Sequence, residues 1–399
     1  MMNSGAGQAH THAGPVRRAC VVENLVFGRA LADTPKLLPG LILAMMVVVV
    51  SVSVADYANS RLGFNGLVSY IMTAILIGLL AGNVAAIPSS FAPGIFFCLT
   101  KLLRLGIIMI GIRLSIFDAA RIGTWSIPIV VACVLTGLVL TTYFTRMLRL
   151  PDRLGTLMAV GTSICGATAI VATAPAIGAK DQEVAYAVAN ITVFGIIAML
   201  VYPYLANVLF AGNVVMVGLF LGTAVHETAQ VTGGALIYDQ AFNVSAKPSA
   251  ADIAIVIKLV RNLFIAAVIP LMAYVYARRL TSQGATTGAR VRGWRLFPIF
   301  ILGFVAMTTF RSLGDAGFQH GRLAFGLWTS VEWSRGIALV SDAAGYALAM
   351  AMAGVGLGTQ LKTLKGLGIK PFIVGLFASL VVGVASALAV FLLGRFVQI

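Results

Sequence analysis

Two pairs of segments decide how this chain is read: IGLLAGN at Ile77–Asn83 against VGLFLGT at Val217–Thr223, and KLLRLGI at Lys101–Ile107 against KLVRNLF at Lys258–Phe264. A glycine echo alone carries little weight, because small residues are common wherever helices pack closely. A Lys-x-x-Arg pair inside an apolar run is much rarer, since a charge in hydrocarbon costs several kcal/mol on most scales. Both pairs are separated by the same offset of five apolar runs. Five is odd, so the two copies enter a bilayer from opposite sides, which predicts an inverted repeat.

Working outward, apolar runs near the length a helix needs to cross hydrocarbon recur about residues 38–54, 66–86, 93–112, 124–143, 155–176, 184–206, 214–237, 252–276, 295–310, 337–357 and 371–396. With 59% hydrophobic and 10% charged residues, the chain has too few charges to clothe a soluble globule of 399 residues. The expectation is an all-α polytopic membrane protein of about 11 transmembrane helices, a five-plus-five inverted repeat with one extra helix at the amino terminus. Its segments are a tail at 1–36, the extra helix at 37–65, repeat 1 at 66–210 and repeat 2 at 211–399.

The net charge of +15 could suggest nucleic acid, but its distribution follows the positive-inside rule and no nucleic-acid partner is expected. With a cytoplasmic amino terminus, 15 Lys and Arg fall in cytoplasmic segments and nine in opposite ones. This bias places the carboxyl terminus on the far side. Arg146, Arg149, Arg153, Arg278, Arg279 and Lys362 are on the basic side, and Lys180 and Lys247 on the other. The first 36 residues lack the compact apolar core and cleavage site of a signal peptide and read as a cytoplasmic tail. Cys20, Cys98, Cys133 and Cys165 have neither metal-type nor disulfide-framework spacing.

The repeat pairs the fifth run with the tenth. The fifth contains GTSICGATAIVATAP (Gly161–Pro175) and the tenth GYALAMAMAGVGLGTQ (Gly345–Gln360). Gly, Ser and Thr at this density weaken a continuous helix and free backbone groups to bind a ligand. Both runs are therefore expected to be discontinuous and to cross near the bilayer midplane, as in secondary transporters.

Lys101 and Arg104 lie three apart on one helix face, as do Lys258 and Arg261, and inversion would bring the pairs to a similar depth. Glu227 and Asp342 are the acids deep enough to pair with them, which leaves room for an anion. A dianion with tetrahedral oxygens suits Lys as a point charge and Arg as a bidentate fork. Interhelical salt bridging is the structural alternative. Thr162, Ser163, Cys165, Gly166 and Thr168 would add hydroxyls and exposed N–H groups, where helix N-termini attract anions. Tight helix packing explains the same small residues almost as well. His226 and Glu227, in GTAVHETAQVTGG (Gly222–Gly234), could sense or couple protons, or fix a helix end.

On GTSICGATAI (161–170), HETAQV (226–231) and IKLVRN (257–262), the chain resembles the sulfate exporter family of bacterial membrane proteins over roughly residues 38–399. The resemblance implies the bile-acid symporter, auxin carrier and sodium–proton antiporter superfamily, with five-plus-five inverted repeats, two crossing broken helices and, commonly, a homodimer. It also implies a bacterial inner membrane location.

Together these features lead to the expectation of a secondary active transporter of a small oxyanion, sulfate or an organosulfonate, coupled to protons or sodium. The rival functions are a cation–proton exchanger centred on Glu227 or Asp342, and a membrane binding or regulatory subunit. No enzyme, cofactor or metal site is expected. The His-Glu dipeptide lacks the second His of a zinc-peptidase helix, Gln230 standing there.

Overall fold

Several helices begin at a side chain that closes their first turn. Ser69, Ser115, Asn213, Ser249 and Thr329 each accept a hydrogen bond from a backbone N–H two or three residues on. The computed structural model describes residues 31–64, 66–85, 87–281, 298–319, 323–360 and 369–397. The expected tail, up to residue 30, and the basic segments 282–297 and 361–368 lie outside the described residues.

The described chain is helical and contains no strand: α1 (Leu38–Arg61), α2 (Tyr70–Val84), α3 (Ser89–Arg113), α4 (Ile116–Met147), α5 (Asp152–Ser163), α6 (Ala167–Ile177), α7 (Asp181–Leu209), α8 (Val214–Ala224), α9 (Thr228–Ala241), α10 (Ala250–Leu263), α11 (Ile265–Thr281), α12 (Phe300–Gln319), α13 (Ser330–Gly358) and α14 (Ile369–Leu393). Seven helices among the described residues are long and apolar enough to cross a membrane. Their outer faces are apolar too. On α14, Leu380, Val384 and Leu388 form an exposed stripe at four-residue spacing, a surface suited to lipid rather than water.

The helices sort into two packed groups. One holds α1, α2, α3, α12 and α13, and the other holds α4 to α11 with α14.

The fifth apolar run is broken, as expected. Its helix ends at Ser163, Ile164 takes φ −118° and ψ −88°, and Gly166 has φ +73° before α6 begins. The two halves then fold back as a hairpin. A Cβ on Gly161 would lie 2.7 Å from the Ile170 side chain. Leu154, Leu157 and Met158 of α5 share an apolar cluster with Ile170, Ala174 and Ile177 of α6.

The tenth run corrects the sequence expectation: α13 is one continuous helix of 29 residues, and it neither breaks nor crosses the fifth run. Its glycines serve packing instead. A Cβ on Gly78 of α2 would stand 2.7 Å from the Ala353 carbonyl oxygen, and one on Gly356 would be 2.7 Å from the Leu79 nitrogen. The two backbones touch there, which only glycine permits.

The second break lies in the seventh run, at Val225–Glu227 between α8 and α9, and it too makes a hairpin. Along α7, Gln230 bonds the Thr192 carbonyl at 3.0 Å and Tyr238 bonds Asn207 at 3.2 Å. Helix α9 therefore runs parallel to α7. Helix α8 starts beside the end of α7 and packs Phe220 between Tyr202 and Phe210, so it runs the opposite way. The first hairpin opens at the start of α7 and the second at its end. Their tips meet beside its middle, around Ile191 and Thr192.

Candidate functional site

Where the tips meet, four helix ends converge. The C-termini of α5 and α8 present carbonyl groups without intrahelical partners and carry partial negative charge. Lys258 and Arg261, three apart on α10 and both fully buried, are aimed at them. The Lys258 ammonium donates to the carbonyls of Ile164 at 3.0 Å, Val225 at 3.2 Å and His226. Arg261 donates from Nε to Ser163 at 2.8 Å, and from its terminal nitrogens to Thr223 and Val225, each at 2.9 Å, and to Thr162. Two cations thus fasten both hairpin tips to one helix.

His226, also fully buried, is held at both ring nitrogens, with Nδ1 3.3 Å from the Thr162 carbonyl and Nε2 2.7 Å from the Ser379 hydroxyl. A carbonyl can only accept, so Nδ1 carries a proton, and the Ser379 hydroxyl completes the pair of contacts at Nε2. It ties the second tip to α5 and α14.

The other two helix ends are N-termini. Helix α6 has no side-chain cap, so its first-turn N–H groups lack a partner within the helix. Ala167 there is half-buried and Thr168 exposed. Helix α9 begins after Glu227, which is half-buried and whose N–H donates to Gln230 at 3.3 Å. A Cβ on Gly166 would lie 3.2 Å from the Glu227 Cβ, so the two N-termini face each other. Only glycine serves at Gly166, where both the positive φ and the neighbour forbid a side chain.

Of the residues singled out in the sequence, the structure brings together Thr162, Ser163, Cys165, Gly166, Thr168, Lys258, Arg261, His226 and Glu227. It does not bring in Lys101 and Arg104. These stand on α3, which packs against α12 and α13 in the other helix group. Lys101 is half-buried and Arg104 exposed, which suits basic side chains that snorkel from an apolar helix. Lys101 and Arg104, expected to supply charge beside Lys258 and Arg261, therefore lie in a different helix group from that pair. Thr162 contributes its carbonyl rather than its hydroxyl, which bonds the Met158 carbonyl at 2.9 Å, whereas Ser163 contributes its carbonyl and has a buried hydroxyl without a partner among the described residues. Cys165 is a buried free thiol.

Two residues of the site escaped sequence reading, Thr228 and Asn262. Asn262 follows Arg261, is 3% exposed, and donates from Nδ2 to the Thr228 hydroxyl at 3.3 Å. Its Oδ1 is buried with no hydrogen-bond partner among the described residues. Its position next to a buried arginine was the available signal. Ser379 had none, being one serine in an apolar helix. No group of His, Cys, Asp and Glu among the described residues could hold a metal ion.

A family model described as conserved hypothetical protein 698 matches residues 39–375. The chain belongs to this family. A UPF0324 membrane protein of Bacillus cereus is 34% identical over 346 residues, covering 86% of this chain and 92% of the relative. One from Pseudomonas aeruginosa is 32% identical over 374 residues, covering 89% and 94%. As a UPF0324 family member, the chain is a multi-pass integral membrane protein whose relatives are bacterial. The matched region contains both hairpins and α10.

Proposed function

We propose that this UPF0324 protein is a secondary active transporter of a small oxyanion, sulfate or an organosulfonate, with its site between the two hairpin tips. The observation that carries this reading is the charge arrangement there. Two fully buried cations, Lys258 and Arg261, stand against one half-buried carboxylate, Glu227, beside the uncapped start of α6. The cations neutralise the carbonyl ends of α5 and α8, so the anion is held by the first turn of α6 and by Thr168, in the positive field the cations leave. Glu227 would repel a bare dianion and takes up a proton when one binds, which makes protons the coupling ion.

The helix arrangement supports alternating access. Exchanging α5–α6 with α8–α9, α7 with α10–α11, α4 with α14, α3 with α13 and α2 with α12 reproduces the main packing partners within each helix group. We read this pattern as an internal twofold with hairpins entering from opposite membrane faces, which pairs the segments in a different order from the sequence echo. Between the groups the symmetry fails: α9 rests on α2 and α13, whereas Thr168 at the start of α6 is exposed. One hairpin is covered and the other open, as in a carrier facing one side. On this reading nine segments cross the inner membrane and two re-enter. Lys180 then joins Arg146, Arg149 and Arg153 on the basic, cytoplasmic side, which sharpens the charge bias.

The reading is tested by radiolabelled sulfate uptake into proteoliposomes, with unlabelled sulfonates as competitors and the outer pH varied. Uptake that rises with an inward proton gradient, falls in Thr168→Val and survives Lys101→Ala is the expected result. Absence of both sulfate uptake and competition by any oxyanion would overturn it and favour a cation exchanger centred on Glu227.

A further inference from the structure

The place where the hairpin tips meet has two poles of unlike chemistry. One is the N-terminus of α6, an eleven-residue helix whose N-cap glycine offers no side-chain cap, with first-turn N–H groups that lack intrahelical partners and the Thr168 hydroxyl. It selects an anionic oxygen group. The other is the start of α9, and it is not set up for an anion. The Glu227 carboxylate stands at its N-cap, and Asn262, whose Nδ2 donates to the hydroxyl of Thr228, the residue after Glu227, has a buried Oδ1 without a partner among the described residues. A buried acceptor without a donor is destabilising, and the Glu227 carboxylate, which accepts from the Gln230 N–H, keeps acceptor capacity for a further donor. Both are met by one kind of ligand group, an N–H donor that carries positive charge.

We propose, resting on the transport reading above, that the substrate is a short zwitterion. Its oxyanion head lies at the start of α6 and its ammonium lies between Glu227 and Asn262 Oδ1. The poles are adjacent, since a Cβ at Gly166 would touch Glu227 Cβ at 3.2 Å, so two or three atoms between the charged groups suffice. Lys258 and Arg261 do not compete for Glu227, because their hydrogen bonds go to six carbonyl groups of the tips.

The same geometry separates plain anions from zwitterions by their need for a proton. The titratable and charged groups around Glu227 are Lys258 and Arg261 of α10, Cys165 of the first tip and His226 beside it. Lys258, Arg261 and His226 are engaged elsewhere, and Cys165 is a buried thiol. A plain anion therefore enters with a proton on Glu227, whereas a zwitterion supplies its own positive charge there. Asn262 is the residue that discriminates between them.

The test uses the full chain in proteoliposomes and a matched pair of competitors of radiolabelled sulfate uptake, 2-aminoethanesulfonate and ethanesulfonate, which differ only in the amino group. Near pH 7 the amino compound should inhibit at a concentration about ten-fold lower, because a site built around a buried acceptor penalises a ligand that leaves it empty. Acidification should narrow the gap by helping ethanesulfonate alone. Asn262→Leu should reduce the ratio to about two-fold or less by weakening inhibition by the amino compound more than that by ethanesulfonate, and Asn262→Asp should keep the ratio. Equal inhibition by the two compounds on the native chain would overturn this proposal and leave oxyanion transport standing. Absence of sulfate uptake and of inhibition by either compound would overturn both.

Discussion

Arg261 shows how much one side chain can organise in a membrane interior. Its guanidinium reaches carbonyls on two different hairpins, Thr162 and Ser163 on one and Thr223 and Val225 on the other. Truncation would leave four buried carbonyls without that donor and remove the charge opposing two helix C-termini. Arg261→Ala should therefore lose about 3–5 kcal/mol of stability, the range for breaking a buried charged network, and Arg261→Lys most of that, since one ammonium cannot span both tips. Arg104→Ala, at an exposed position, should change stability by less than about 0.5 kcal/mol. Thermal unfolding of the detergent-solubilised variants measures all three. The sequence offered Lys101/Arg104 and Lys258/Arg261 as equals because spacing reports which face a residue shares and not what that face meets. Three-dimensional packing alone distinguishes a lipid-edge pair from a buried clamp. The rarity of charge inside apolar runs did single out Lys258 and Arg261, which the structure buries against both hairpin tips.

At the scale of elements, the fifth and seventh apolar runs each look like one helix of bilayer length, yet each is two half-length helices folded on each other. Hydrophobic periodicity cannot see this, because the halves are apolar all round and the turn needs only three residues, 164–166 or 225–227. The glycine-rich tenth run was misleading for a related reason: glycine marks both broken backbone and backbone-to-backbone contact. The two roles separate experimentally within α13. Gly356, pressed onto α2 with the Leu79 nitrogen 2.7 Å from where a Cβ would sit, should tolerate no side chain. Gly356→Val should cost roughly 1–3 kcal/mol through overpacking. Gly336 in the same helix has open space around it, and Gly336→Ala should be neutral or stabilise by about 0.4–1 kcal/mol, because alanine restricts the unfolded chain. If both substitutions were equally harmless, close packing would not be the reason for glycine in α13.

For the whole molecule, the direction of each hairpin determines which loops share a side of the membrane. Residues 144–150 and 179–188 pack into one apolar cluster at the start of α7. Tyr204, Phe242 and the turn at Phe210–Asn213 gather at its far end. If the fifth run simply crossed the bilayer, Arg149 and Lys180 would lie on opposite faces. With a re-entrant hairpin they lie on the same one, and the second hairpin likewise puts Ala211 and Lys247 together on the other. Single cysteines at these four positions, in a chain whose native cysteines are replaced, should react with a membrane-impermeant thiol reagent as two pairs. In inside-out vesicles Arg149→Cys and Lys180→Cys should label without permeabilisation, and Ala211→Cys and Lys247→Cys only after it. Right-side-out vesicles should give the reverse. Labelling that splits Arg149→Cys from Lys180→Cys would mean that the fifth run crosses. That would remove the opposed entry of the two tips on which the proposed alternating access between the poles at Gly166 and Glu227 rests.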